Sequence, residues 1–284
     1  MSIIEERLRV LGDSADHAPN IGAVIARGER IRRQRRNRRL VITAGVATAV
    51  LLVVPVMSVA GHRPLSTSAA SEFLNSVAAR AAAQQSADAS KAAYWYSKTD
   101  VLYGGKHFTR ESWQGHYAPG YLIQNDGIIG STDLDKAVFP AGSTGLTWDQ
   151  LFALPRNPDT LYDWLHKAVG DAGNDPDSEM FVAIGDLLRE SPAPPSLRQT
   201  LFEVAARIPG VELTTGVTDA LGHPATAVSR ANPDRAGSVR YLIDASTGAL
   251  LEEQDINPDG TTAFRATLLA SGPAANKTIK IPSA

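Results

Sequence analysis

The sequence predicts an α+β protein: one transmembrane helix followed by an extracytoplasmic antiparallel sheet that is covered by helices. Three observations predict it. Residues 40–60, LVITAGVATAVLLVVPVMSVA, run for 21 residues without a charge, enough to cross the roughly 30 Å hydrocarbon layer as a helix. Beyond them, stretches rich in Tyr, Trp, Val and Thr lie at both ends of the remaining chain, punctuated by Gly-Gly, Pro-Gly and Asn-Pro-Asp-Gly, as antiparallel strands joined by hairpins are. Between these ends, residues 147–208 carry apolar side chains at helical spacing behind capping signals. Strands, then helices, then strands put the helices on one face of a sheet.

The charge distribution orients the span. RIRRQRRNRR, the block 30–39 bounded by Arg30 and Arg39, holds seven arginines in ten residues and abuts the apolar run. Residues 1–39 carry ten arginines against five acidic residues, whereas residues 40–284 carry 18 basic against 25 acidic residues. A basic block beside a span stays cytoplasmic and is attracted to anionic headgroups by about 1 kcal/mol per basic residue at the surface. Membrane lipid is therefore the expected partner of the arginines, in preference to nucleic acid. Ser58-Val59-Ala60 has the small-x-small form of a cleavage site, and Arg38-Arg39 faintly echoes a twin-arginine export signal. The 39 residues ahead of the run and its length favour a retained anchor.

The chain has no cysteine, which excludes a disulfide framework, a thiolate zinc site, a thiol nucleophile and a cysteine-linked lipid anchor. The expected organisation is a basic cytoplasmic segment (1–39), a transmembrane helix (40–60), a juxtamembrane linker and helix (61–92), and an extracytoplasmic α+β domain (93–284).

In chain order, SEFLNSVAARAAAQQ places Phe73, Leu74, Val77, Ala78 and Ala81 on one helical side. AAYWYSKTDVLYGGKHFTRESWQGHYAPGYLIQNDG reads as hairpins turning at Gly104-Gly105, Pro119-Gly120 and Asn125-Asp126-Gly127, and residues 128–145 read as loop. Thr147 and Gln150 form a capping box, Asn157-Pro158 starts the next helix and Gly170 stops it. A third helix is expected from about Ser178 to Glu190, and a fourth from Ser196, boxed by Gln199 and stopped at Pro209-Gly210. Five strand-like runs follow, separated by ALGH, NPDRAG, ASTG and NPDG turns.

No sequence pattern proposes a reaction. Asp255, Asn257, Asp259 and Gly260 match the first half of a calcium loop, but Ala266 stands where its bidentate Glu belongs; a hairpin turn accounts for the same residues. The six histidines lack metal-ligand spacing, and GxSxG, GxxxxGK[ST] and GxGxxG are absent. The expectation is a non-enzyme without catalytic, cofactor or metal residues. The aromatics of the first hairpins remain. Strand alternation sends Tyr94 and Tyr96 to one face and Trp95 to the other; with Tyr103 and Trp113 they could line a ligand groove beneath the helices or fill a core.

The last hundred residues carry a pattern: Pro209-Gly210-Val211, then Asp219, Gly222 and Pro224, then Asp244, Thr247, Gly248 and Leu250. It resembles that of an actinobacterial family of single-pass membrane proteins of unknown function, with a basic amino-terminal segment and an extracytoplasmic domain. The resemblance implies an envelope location and, because members are often encoded near extracytoplasmic-function sigma factors, a place in envelope signalling. The D-x-x-T-G-x-L hairpin is also similar to that of lipoprotein carriers and periplasmic sigma regulators, which implies a half-barrel-like sheet. A zinc-type anti-sigma domain would need His and Cys before the span, and no cysteine is there. The function expected is a membrane-anchored sensor or binding module of the cell envelope with an envelope ligand or protein partner; the alternatives are a carrier of apolar ligands and an envelope hydrolase.

Overall fold

Gly104 and Gly105 close the first hairpin with successive positive φ angles of 57° and 76°. This two-residue turn suits the twist of antiparallel strands, and glycine takes it without a Cβ clash. β1 (Tyr94–Tyr103) and β2 (Lys106–Gly115) pair along their whole length, Tyr103 opposite Lys106 and Tyr94 opposite Gly115. The computed structural model describes residues 67–84, 88–125, 130–170, 175–234 and 236–277; the expected cytoplasmic segment and transmembrane helix lie outside them. Among the described residues no helix is long and apolar enough to cross a membrane.

Beyond β2 the sheet continues through β3 (Tyr121–Gln124) to β4 (Gly130–Asp133). On the other side of β1 lies the last strand among the described residues. The strands concerned are β7 (Val211–Thr218), β8 (Pro224–Ala231), β9 (Ser238–Ile243), β10 (Leu250–Ile256) and β11 (Thr262–Ala274). Among the described residues the result is one open antiparallel sheet of nine strands in the order β4-β3-β2-β1-β11-β10-β9-β8-β7. The two strand-rich ends of the sequence thus meet at the β1–β11 seam, and the helical block interrupts the chain without interrupting the sheet.

Residues 128–145, expected as loop, hold β4 and a separate ribbon of β5 (Phe139–Ala141) and β6 (Thr144–Leu146). Strands of three or four residues are too short to show a period of two, so their pairing comes from neighbours and not from their own pattern.

Among the described residues there are five α-helices on one side of the sheet: α1 (Thr67–Ala83) and α4 (Pro176–Glu190) pack on its strands, and α2 (Trp148–Phe152), α3 (Pro158–Val169) and α5 (Pro195–Ala205) complete the layer with them and with the β5–β6 ribbon. Thr147 and Gln150 form the expected box at α2, and Asn157 caps α3 through the amides of Asp159 and Thr160. Two starts differ from expectation. Asp175 caps α4, so that helix begins at Pro176 instead of Ser178. The Ser196–Gln199 box does not form: Pro195 takes the first helical position, Pro194 supplies no side-chain cap, and Ser196 falls inside the first turn. There its hydroxyl accepts from Arg156 Nε at 3.2 Å, while Gln199 turns to Glu203 at 2.8 Å. Proline's fixed φ suits the first helical position and outranks the serine here.

One core joins helices and sheet. Leu74, Val77, Ala78 and Ala81 of α1 are buried with Phe181 and Ile184 of α4, Leu201 and Phe202 of α5, and Val211, Val228 and Ile243 of the sheet. The boundary expected at residue 93 is therefore not a boundary in packing: α1 is a core element of the same domain as the sheet.

Candidate functional site

The register assigns every sheet residue to a face. Tyr241 lies on the helix side, its ring 5.0 Å from Phe181 of α4. It stands opposite Val228 and Glu253; Glu253 stands opposite Ala266, and Ala266 opposite Val101. Since residues directly opposite share a face and neighbours alternate, the odd-numbered residues of β1, Trp95 and Tyr103 among them, face the helices. Tyr94, Tyr96 and Lys98 face away.

Beneath the helices there is almost no room. Leu74, Phe181, Ile184, Leu188 and Phe202 meet Val228, Tyr241, Ile243 and Leu250 around a void of about 10 Å³. Side chains occupy the place of the ligand groove expected among these residues. Ion pairs add to the closure. Arg189 of α4 meets Asp186 at 3.3 Å, and also Glu190 and, across the interface, Glu253 of β10. Arg230 of β8 meets the α4 cap Asp175 at 2.6 Å, and its Nε donates to the Pro209 carbonyl at 2.8 Å.

The roomier concavity is on the far face. An open groove of about 600 Å³ is lined by Tyr96, Lys98, Glu111, Trp113 and Ile123, and bounded by β11 from Ala270 onward. Trp113 is 4% exposed although it faces away from the helices, because Tyr96 at 5.0 Å and Tyr121 at 6.4 Å pack against it. Glu111 ties the floor together, accepting from Tyr96 Oη at 2.8 Å and pairing with Lys98 at 3.0 Å. Burial first, and then the bond to Glu111, push the Tyr96 phenol up to about 12. Lys277, beyond β11, straps the end of the groove with its ammonium 5.9 Å from the Tyr94 ring centre and 5.8 Å from that of Tyr121. Such contacts are worth about 0.5–1 kcal/mol at exposed sites.

Of the four aromatics expected in a groove, Tyr96 and Trp113 line this one, and Tyr94 shares their face under Lys277. Tyr103 does not join them. It faces the other way at the hairpin end of β1, roughly 23 Å along the strand from Tyr96. Alternation from Tyr96 also marks Lys98, so that member was legible. The β11 contribution was not, because only the β1–β11 register brings Ala270, Gly272 and Ala274 alongside.

The residues of the carboxy-terminal pattern build turns. Asp219 Oδ1 accepts from the amides of Leu221 and His223, its Oδ2 faces His223 Nδ1 at 2.8 Å, and Gly222 takes φ 84°. Pro224 then opens β8. This turn is held to the far face by Glu252, which accepts from Ala220 N at 2.9 Å and Thr267 Oγ1 at 2.7 Å. In the β9–β10 turn, Asp244 accepts from Ser246 and Thr247, and Gly248 takes φ 76°. Gly248 also lies against α1, where a Cβ would sit 3.0 Å from the Val77 carbonyl oxygen, and Gln84 donates to Thr247 O at 2.6 Å. That turn docks the first helix.

The remaining candidates resolve similarly. Residues 255–260 make a hairpin turn, with Asp259 accepting from Thr261 and Asn257 N donating to Thr261 O at 2.8 Å. His107 and His116 lie at opposite ends of β2; His116 stacks between Tyr117 at 3.8 Å and Trp148 at 4.6 Å.

No protein family model matches the chain, and no curated protein matches it. Solved structures do. A crystal structure of MucB is 18% identical over 74% of this chain and 61% of its own, with a TM-score of 0.33. The MucA/MucB complex of Pseudomonas aeruginosa matches at 17% identity over 74% of this chain and 59% of that one, with a TM-score of 0.33. A LolA superfamily protein from Nitrosomonas europaea matches at 7% over 70% of this chain and 74% of that one, with a TM-score of 0.20. The chain spans less than two thirds of the MucB chains it matches.

Proposed function

We propose that this protein is a membrane-anchored module of the cell envelope that acts by binding and not by catalysis. Residues 40–60 hold it in the membrane, the 30–39 arginine block stays in the cytoplasm against anionic headgroups, and the α+β domain lies outside. The observation that carries the reading is the contrast between the two faces of the sheet: about 10 Å³ beneath the helices and about 600 Å³ on the far face. A helix layer sealed onto its sheet leaves recognition to the exposed face. The resemblance of the carboxy-terminal pattern supports a place beside sigma-factor signalling.

Protease added to intact cells that carry the full chain tests the orientation. A carboxy-terminal epitope is expected to disappear while an amino-terminal one survives; protection of both would refute it. The second reading, a carrier of apolar ligands, is favoured by the size of the groove but not by the Lys98–Glu111 pair on its floor. Native mass spectrometry of the purified full chain separates the two. A stoichiometric retained lipid would hand the function to the carrier, and a bare chain is the expected result.

A further inference from the structure

β11 outruns its neighbour. β10 pairs with it only between Glu252 opposite Thr267 and Ile256 opposite Thr262, whereas β1 pairs with it as far as Ala274. Residues 268–274 are thus held extended by β1, with no strand ladder on the other side among the described residues. The directions of the backbone groups follow from one bond. His116 N donates to Ala93 O at 2.9 Å, so odd residues of β1 turn their N–H and C=O to β2 and even residues turn theirs to β11. Tyr94, Tyr96 and Lys98 therefore bond to their opposites Ala274, Gly272 and Ala270. Ser271, between them, turns both its N–H and its C=O to the free side, and Pro273 turns only a carbonyl there. Ser271 and Pro273 are exposed, and Leu269, at the irregularity in the register, is 39% exposed.

The chain of β10 itself cannot complete this ladder. Upstream of Leu250 it turns away through residues 244–249, a turn held by Asp244 and seated on α1 at Gly248. An N–H and a C=O offered by one extended residue have the spacing that another extended main chain matches as a pair, displacing the water that otherwise meets them. An acyl chain offers neither partner. Room for side chains exists beside the edge: a Cβ on Gly272 would meet nothing within 4 Å, and Ala270 and Ala274 border the far-face groove. Leu269 is apolar, and the charges of Lys98 and Glu111 are paired with each other, so an uncharged segment fits best.

We propose that residues 270–273 of β11, beyond the reach of Leu250 at the start of β10, take up an extended, uncharged segment of a partner protein by strand addition, with the far-face groove receiving its side chains. This names the partner class of the binding module above and rests on that reading.

Amide hydrogen exchange on the purified full chain in detergent tests it, with a short synthetic peptide of alternating threonine and valine as the probe. Saturating peptide is expected to slow exchange of the Ser271 amide about tenfold. The same peptide N-methylated at alternate amides is expected to have no effect, and Ser271→Pro, which removes the outward donor, to lose peptide binding. Should Ser271→Pro unfold, Leu269→Lys puts a charge on the edge without touching the main chain and is expected to weaken binding about as much. Unchanged Ser271 exchange, equal protection by the N-methylated peptide, or protection by anionic vesicles alone would each overturn the proposal. Protection that rises with protein concentration and no peptide would overturn it too, by making a second copy the occupant. The assay is blind to membrane orientation, so a protease result against the outward domain would remove the module reading and leave a positive exchange result standing, and the converse holds.

Discussion

The phenol ring of Tyr241, on β9, lies directly over Gly185 in the middle of α4, leaving no space for a Cβ at that position. The contact sets the distance between the helix layer and the sheet. Alanine elsewhere in a helix interior gains about 1 kcal/mol over glycine, but here its methyl group would overlap the ring, and overpacking costs about 1–3 kcal/mol. Gly185→Ala is expected to lower the thermal midpoint, and Tyr241→Leu in the same chain to restore part of the loss. A higher midpoint for Gly185→Ala alone would refute the packing account.

Gly248 is a second point of close approach, with a positive φ as well. Gly248→Ala adds backbone strain of about 1–2 kcal/mol and presses on the Val77 carbonyl of α1. The first helix is expected to loosen before the rest. Hydrogen exchange should show α1 amides losing protection while β8 and β9 keep theirs; uniform loss would mean that the turn does not dock α1.

Arg189 faces three carboxylates, Asp186, Glu190 and Glu253. Removing the shared cation leaves buried negative charge without compensation, which costs about 3–5 kcal/mol. Arg189→Met is therefore expected to be severe, and Glu253→Gln mild, since Arg189 keeps its two partners on α4. Urea titrations giving equal losses would contradict this asymmetry.

Acid stability follows from Asp244 and Asp175. Burial pushes the Asp244 carboxyl up, but hydrogen bonds from Ser246 and Thr247 outweigh it and hold the group below its ordinary 3.8. Burial likewise raises Asp175, and Ser178 and Arg230 more than offset that rise. With folded values depressed, the unfolded chain takes up protons first. The stabilisation is whole above the unfolded value and is lost as pH falls through the lower folded values. Thermal midpoints are expected to be level above about pH 5 and to fall below about pH 4, with a shallower fall in Asp244→Asn. An Asp244→Asn profile parallel to the parent would argue against it.

Tyr96 offers an optical test on the far face. Its phenol, pushed up to about 12, is expected to titrate late among the tyrosines in an ultraviolet pH titration. Burial is the larger cause, so Glu111→Gln should bring it down only in part. Titration of Tyr96 near the ordinary phenol value of 10.0 would show the groove floor to be wetter than the packing indicates.

The longer strands, the α2 and α3 starts and the hairpin turns were legible because their signals are local. Alternation separated Tyr94 and Tyr96 from Trp95, Gly104-Gly105 marked a turn that needs positive φ, and Thr147 and Asn157 announced caps whose bonds span two or three residues. The α5 start was misread where two local signals competed and tandem proline won. Which face the helices would cover was not legible, because alternation distinguishes two faces without saying which is inside. Only the chain of contacts from Tyr241 through Glu253 and Ala266 to Val101 assigns Tyr96 and Trp113 to the open side. The stretch of β11 that no strand flanks among the described residues is likewise a product of register, since no local rule tells a strand where its neighbour will stop. The sequence by itself determined the longer strands, the helical block, the hairpin turns, the charge asymmetry and the long apolar run, all carried by residues a few positions apart. The tertiary structure alone decided that the space beneath the helices is filled and that room lies on the far face, because packing and strand pairing join residues more than a hundred positions apart.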